Sequence, residues 1–207
     1  MSLHVDPALL SRARPGEPRR RAPVWLGLAL GLVAVATMLV ALIFAYFHLM
    51  FHSPEWPQGG VARPGLGWPA AVLAVLAASA IPVLLAGRAI AAGRQDGLRL
   101  GLAAAAVLGL VVLGAQAAGY ARLGFAPDDN AYTSLFVTLS AFHTLGLVTA
   151  LIFNLATQVR AWLGHFSAEY HEGVRLAALW WYWAAGSGVV LFATLFLGPL
   201  VPLEYGP

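Results

Sequence analysis

The sequence predicts an all-α membrane protein, folded as a bundle of five transmembrane helices. Hydrophobic residues make up 60% of the 207-residue chain and charged residues only 10%, whereas soluble domains average about 25% charged residues. Apolar runs of about 20 residues or more recur along the chain, long enough to cross a hydrocarbon core of ~30 Å. These runs lack the water-facing polar stripe of a soluble amphipathic helix.

The hydropathy places the five spans at about 24–51, 68–92, 98–121, 131–157 and 174–200. The first run is about twice as long as the apolar core of a secretory signal peptide, so we interpret it as a retained helix. The short connections predict that consecutive helices are antiparallel neighbours. We therefore expect a basic N-terminal tail at 1–22 and one transmembrane domain at 23–203.

The distribution of arginine predicts the orientation. All twelve basic residues are arginine; ten fall in the tail and in the connections on its side, and two, Arg63 and Arg122, fall on the other side. The positive-inside rule then predicts a cytoplasmic N-terminus and, after an odd number of spans, a C-terminus outside. Arginines at helix ends indicate topology and not a nucleic-acid surface, so no nucleic-acid partner is expected. Tryptophans near the span ends predict an interfacial aromatic belt: Trp25, Trp56, Trp68, Trp162, Trp180 and Trp181.

The residue types present exclude most catalytic sites. The chain has no cysteine, which removes thiolate chemistry, disulfides and iron–sulfur ligation. It shows no phosphate-binding loop, no Ser/His/Asp set and no buried pair of carboxylates. The histidines and glutamates at 165–172 match no ligand spacing, so we interpret them as a solvated turn. Asn130, preceded by two aspartates, is typical of a helix N-cap. We expect no catalytic, cofactor-binding or metal-binding residue in this chain.

His143 is the one ionisable residue near the centre of a long apolar run. Such a residue is a candidate functional group, because even a neutral imidazole needs polar partners in hydrocarbon. Helical spacing places it on one face with Ser140, Leu147, Ala150 and Asn154. Its chemistry leaves open a haem or metal ligand, a proton relay, or a polar contact between helices, of which we favour the last.

Small residues predict close helix packing at two places. Gly27 and Gly31 form a G-x-x-x-G pair on the first span, and Gly186 and Gly188 flank Ser187 on the fifth. Such residues allow membrane helices to approach closely, within the bundle or against another subunit.

One stretch resembles a known family. The run from Gly119 to His143, GYARLGFAPDDNAYTSLFVTLSAFH, is similar to subunit III of the haem–copper oxidases (cytochrome c oxidase subunit III). The segment 44–47 (FAYF) resembles the end of the first helix in five-helix bacterial forms. Gln116 resembles a glutamine that often closes the third helix, and 171–174 (HEGV) resembles the lead into the last helix.

The sequence also departs from the family pattern. The first span has no acid where the family usually buries a glutamate; Val35 or Ala36 occupies that place. Gly146 stands where a second histidine is usual, and the run Trp180–Trp183 replaces an aromatic run followed by histidine and an acid. The chain thus resembles a divergent member from which most intramembrane polar groups are missing.

The resemblance implies a non-catalytic subunit of a respiratory terminal oxidase, in the bacterial inner membrane as a multi-pass protein. It implies catalytic subunit I and also subunit II as partners, and membrane phospholipids as ligands. The partner subunits would hold the haems and copper, while this chain would stabilise subunit I and pack lipid. The residues expected at structural or interface positions are His143, Asn154, Gln116 and Tyr132.

Two other function classes stay open. An accessory subunit of a nitric oxide reductase resembles the same family, and the enzyme that co-purifies would distinguish the two. A stand-alone transporter or channel predicts a polar line through several helices, whereas only the fourth span shows one.

Overall fold

The computed structural model describes residues 22–200, with side chains from Trp25 onward, and contains five long helices in this part. They are α1 (Ala22–His52), α2 (Gly67–Ala91), α3 (Gln95–Tyr120), α4 (Ala131–Trp162) and α5 (Glu172–Phe192). A π-helical turn, Ala193–Leu197, and a 3₁₀ turn, Gly198–Leu200, prolong α5. All five are long and apolar enough to cross a membrane, which confirms the all-helical, five-span prediction. The predicted tail up to residue 21 and the C-terminal residues 201–207 lie outside the described residues.

The helix bounds differ from the predicted spans mainly at one end of the bundle. α3 begins at Gln95 and not at 98, and α4 continues past 157 to Trp162. The added residues include Gln95, Gln158 and Arg160, which are polar. Hydropathy detects the part of a helix that lies in hydrocarbon, whereas the backbone hydrogen bonds continue into the interface.

Consecutive helices are antiparallel, and α2 and α3 pack most closely. A Cβ atom on Gly101 would lie 2.6 Å from the carbonyl oxygen of Pro82 and 2.7 Å from Cβ of Ala86. A Cβ on Gly97 would lie 2.6 Å from Cβ of Ala89. Glycine is needed at both positions because the two backbones leave no room for a side chain.

The core of the bundle holds two tryptophans that were predicted at the interface. Trp181 is fully buried, and its Nε1 donates to the hydroxyl of Ser79 at 2.9 Å. Trp180 is buried as well, and its Nε1 donates to the carbonyl of Gly146 at 3.2 Å. The predicted aromatic belt is therefore wrong for this pair, because each indole finds an internal acceptor and a small neighbour. A Cβ on Gly109 would lie 2.8 Å from the Trp181 ring.

A second aromatic cluster closes the end of the bundle where α1 ends and α4 begins. Trp56, also predicted in the belt, is buried, and its Nε1 donates to the hydroxyl of Tyr46 at 3.1 Å. Its ring meets Tyr132 edge-on, with ring centroids 5.3 Å apart. Asn130 accepts from the Thr133 backbone N–H at 3.1 Å, while the Thr133 hydroxyl accepts from the Asn130 backbone N–H. This capping box confirms the predicted N-cap.

α1 is the least covered helix of the bundle and packs mainly along α4 and α5, so the prediction that consecutive helices are neighbours is wrong for α1 and α2. Apart from the adjoining residues and backbone of α1 itself, no atom of the described residues lies within 4 Å of a Cβ built on Gly27 or Gly31. This pair therefore makes no close contact inside the bundle that the structure describes. Of the second predicted pair, Gly188 faces a neighbouring helix closely and Gly186 does not.

Candidate functional site

His143 lies in the interior of the bundle, with 6% of its surface exposed. Its Nε2 is 3.0 Å from the carbonyl oxygen of Ala184 on α5. Because a carbonyl only accepts, Nε2 carries the hydrogen, and Nδ1 is left as an acceptor. Nδ1 faces the side-chain amide of Gln116 on α3, whose Nε2 is 3.4 Å away. The imidazole thus joins three helices through its two ring nitrogens.

The polar contacts continue from Gln116 toward the end of the bundle. The Thr144 hydroxyl has one hydrogen, and two acceptors share it: Oε1 of Gln116 at 3.0 Å and the carbonyl of Ser140 at 2.8 Å. The Tyr120 hydroxyl lies 2.9 Å from that of Thr144 and can donate to it. A chain of hydrogen bonds therefore runs from Tyr120 to Ala184 within the apolar part of the bundle. Paired groups of this kind offset the cost of placing polar atoms in hydrocarbon.

Gly188 sets the distance between α5 and the imidazole. A Cβ at this position would lie 3.1 Å from Nε2 of His143 and 2.9 Å from Cδ2 of Leu76 on α2. The neighbouring side chains would have to shift to admit even a methyl group. The absence of a side chain at Gly188 therefore allows the helix approach that places the Ala184 carbonyl within hydrogen-bond reach of the ring.

The geometry makes His143 a connecting residue and not an open ligand. A metal would have to displace one of its two hydrogen bonds, because neither ring nitrogen is left over. Within residues 25–200, no group of three or more His, Asp or Glu side chains is arranged to hold a metal ion. His48 lies elsewhere, on the exposed side of α1, with its ring centroid 4.3 Å from that of His52.

The structure separates the four residues expected at structural or interface positions. Gln116 and His143 meet, as described above. Asn154 is buried further along α4, about 16 Å from His143 at 1.5 Å per residue. Tyr132 lies in the aromatic cluster near the start of α4. The Asn154 side-chain oxygen and the Tyr132 hydroxyl are buried without a hydrogen-bond partner among the described residues.

Sequence reasoning missed two partners of this site, Thr144 and the carbonyl of Ala184. Thr144 lies four residues after Ser140 and so borders the predicted face, but it was not selected, because a threonine in an apolar helix commonly bonds a carbonyl of its own preceding turn. A backbone carbonyl inside a helix carries no sequence signal. The resemblance already included Tyr120, although without a role.

Gly146, where the resemblance leads us to expect a second histidine, packs closely against α5. A Cβ at this position would lie 2.6 Å from Cζ3 of Trp183. The Gly146 carbonyl also accepts from Trp180, as noted above. The glycine on α4 and the tryptophans on α5 therefore form one close contact between these two helices.

Comparisons with known proteins find one family and relatives that share its name. The family model for cytochrome c oxidase subunit III matches residues 19–198. The cytochrome c oxidase subunit 3 of Triticum aestivum is 30% identical over 190 residues, covering 87% of this chain and 72% of that protein. The Arabidopsis thaliana protein of the same name is 30% identical, covering 84% and 69%. That of Heterololigo bleekeri is 25% identical, covering 84% and 71%.

Proposed function

The chain belongs to the cytochrome c oxidase subunit III family, and from this premise we propose that it is a non-catalytic subunit that stabilises the catalytic subunit of a terminal oxidase. The observation that carries the proposal is the family match over residues 19–198, nearly the whole chain. Subunit I, together with subunit II, is the proposed partner and holds the haems and copper. This chain contributes helices and lipid contacts.

The exposure of α1 supports the stabilising role. Large apolar side chains along this helix are more than half exposed, including Leu26, Leu30, Val33, Val40 and Phe44. A face of this kind is covered in the membrane by lipid or by another subunit. Gly27 and Gly31 also lie on this helix and contact no other helix of the bundle, so a partner helix could approach closely there.

The two ends of the bundle support the proposed orientation. Arg88, Arg94, Arg99, Arg160 and Arg175 lie at or near the end that carries the α2–α3 and α4–α5 connections. Arg63 and Arg122 lie at the other end. We propose that the arginine-rich end faces the cytoplasm of a bacterium, with one transmembrane domain at 23–203 preceded by the tail 1–22. Lys and Arg enrichment on the cytoplasmic side is the physical basis of this assignment.

Affinity purification of the tagged chain from native membranes tests the subunit assignment. We expect a copper- and haem-containing oxidase subunit I to co-purify in constant ratio, and native mass spectrometry to give one assembled mass. The chain separated from its partners should show no haem absorbance. A Soret band in stoichiometric amount on the isolated chain would contradict the non-catalytic role.

The same purification separates the other function classes. A copper-free haem–iron reductase in place of the oxidase would assign the chain to a nitric oxide reductase. Solute flux in vesicles that contain this chain alone would assign it to transport.

Deleting the chain should shorten the working lifetime of the oxidase while leaving its initial turnover largely intact.

A further inference from the structure

Two histidines, His48 and His52, form an exposed pair in the last turns of α1. They are four residues apart, a spacing that places two side chains next to each other on one face of a helix. Their ring centroids are 4.3 Å apart and their planes are inclined by 38°. Both side chains are exposed. The end of α1 therefore presents two neighbouring imidazoles on its surface.

The hydrogen bonding of the pair leaves one nitrogen of each ring free. The Nδ1 of His52 lies 2.7 Å from the carbonyl oxygen of His48, which only accepts, so Nδ1 carries the hydrogen and Nε2 keeps its lone pair. Histidines that bind metals usually donate their other ring N–H in this way, which fixes the tautomer and the ring orientation. The His48 ring stacks on Phe44, with centroids 5.9 Å apart, and makes no hydrogen bond within residues 25–200.

The length of α1 places the pair outside the hydrocarbon. The Trp25 indole near the start of the helix donates to the carboxylate of Glu172 at the start of α5, so Trp25 marks the membrane interface at that end. At 1.5 Å per residue, His48 lies about 34 Å further along α1 and His52 about 40 Å. Both distances exceed a hydrocarbon core of ~30 Å. Water and dissolved ions can therefore reach the two imidazoles.

We propose that His48 and His52 together bind one divalent transition-metal ion, of the class of Zn²⁺ or Cu²⁺. Imidazole suits these ions, whereas Mg²⁺ and Ca²⁺ prefer oxygen ligands. Two histidines four residues apart on a helix are a spacing that supplies zinc ligands. The proposal revises the expectation that the chain holds no metal-binding residue, and it does not depend on the proposed function.

The remaining coordination positions are taken by water. Within residues 25–200, no third His, Asp or Glu side chain joins the pair in a group that could hold a metal. The nearby Glu55 carboxylate accepts from the Gly59 backbone N–H at 2.8 Å, so it is engaged in the loop that follows α1. A site with two protein ligands and open positions exchanges its metal with the solution, unlike a closed structural zinc site.

Equilibrium dialysis of the purified complex against Zn²⁺ tests the proposal, with bound zinc counted by elemental mass spectrometry. Zinc is the probe because the proposed partner subunits hold copper of their own, and the affinity tag must contain no histidine. We expect one additional, saturable zinc per chain. Cu²⁺ should displace it at lower concentration than Zn²⁺ itself, in keeping with the Irving–Williams order, and an excess of Mg²⁺ or Ca²⁺ should not.

Removing either ligand should weaken binding of this zinc. We expect His48→Gln and His52→Gln each to lower the affinity at least tenfold, because the loss of even a supporting hydrogen bond costs about 10–100-fold in metal sites. The matched control is His165→Gln, which removes an exposed histidine in the α4–α5 connection at the opposite end of the bundle. That variant should bind zinc like the unaltered complex.

A second variant keeps the number of histidines and breaks only their spacing. In His48→Gln/Phe51→His the two imidazoles stand on consecutive residues, which do not face each other on a helix. Phe51 is 58% exposed, so the exchange leaves the core intact. We expect this variant to lose the zinc as the single variants do.

Three results would overturn the proposal: no saturable zinc in the unaltered complex, unchanged affinity in His48→Gln/His52→Gln, or unchanged affinity in the variant with altered spacing. Co-purification of subunit I is measured in the same samples and should persist in every variant. Loss of the metal site and failure of the proposed function therefore give different results.

Discussion

At the scale of single residues, the structure pairs the polar groups around the centre of the bundle. His143 donates to α5 and faces a donor from α3, so one imidazole connects three helices. The sequence identified His143 because an ionisable side chain stands out in an apolar run, and it identified Gln116 through the family resemblance. It could not identify the Ala184 carbonyl, because every residue has one and only the packing decides which becomes an acceptor.

The substitution His143→Leu should destabilise the helix bundle without abolishing turnover by the assembled complex. Two contacts between helices are lost, and such contacts contribute about 1–2 kcal/mol together in membranes. Thermal unfolding of the purified complex measures the effect. The control is Thr149→Val, since that hydroxyl bonds the Leu145 carbonyl of its own helix. Complete loss of turnover in a fully assembled complex would contradict the structural role of His143.

Adding a methyl group through Gly146→Ala should cost about 1–3 kcal/mol, as expected for overpacking of a tight contact. The reason is the Trp183 ring, which lies 2.6 Å from the position of the added Cβ. Thermal unfolding with and without Trp183→Leu tests this cause, since the double variant should lose less stability than the sum of the single variants. Gly186→Ala is the control, because its Cβ meets nothing within 4 Å. Equal effects at the two glycines would rule out the proposed contact.

At the scale of helices, the sequence predicted the number of spans and most of their bounds, because apolar length is set by membrane thickness. The sequence did not predict which side chains face other helices and which face lipid. Trp180 and Trp181 were predicted in the belt, yet both are buried between helices, where they bond Gly146 and Ser79 near the middle of α4 and α2. Hydropathy is averaged over all faces of a helix, so it does not distinguish a side chain that faces lipid from one that faces another helix.

The capping box at the start of α4 gives a prediction for one element. Asn130→Ala removes the acceptor for the Thr133 backbone N–H and the donor to the Gln58 carbonyl. We expect a loss of about 0.5–2 kcal/mol, with faster amide hydrogen exchange in the first turn of α4. Asp128→Ala, at an exposed position of the same loop, serves as the control and should leave that exchange unchanged.

At the scale of the whole molecule, composition and the Gly119–His143 stretch were sufficient to predict the fold class and the family. A cavity beside Arg63 and Arg122 was not predictable, because its walls come from four helices and depend on how those helices are placed. The separation of Asn154 and Tyr132 from His143 follows from sequence spacing alone, since all three lie on α4 and each is eleven residues from His143.

The orientation can be measured with single cysteines, because the chain has none of its own. Ala126 and Ala92 are exposed and lie at opposite ends of the bundle. The two variants are therefore Ala126→Cys and Ala92→Cys. In intact spheroplasts, a membrane-impermeant maleimide should label Ala126→Cys at once and Ala92→Cys only after the membrane is permeabilised. The reverse labelling pattern would place the N-terminus outside and contradict the orientation predicted by the positive-inside rule.

The position of α1 also has a consequence for the order in which the protein is assembled. Domains and helices leave the ribosome in sequence order, but α1 packs against α4 and α5, which are made last. The Trp25 indole, for example, donates to Glu172, at the start of the final helix. By contrast, α2 and α3 are joined by a short turn and can pair as soon as both are in the membrane. The first helix synthesised is therefore the last to gain its neighbours within the chain.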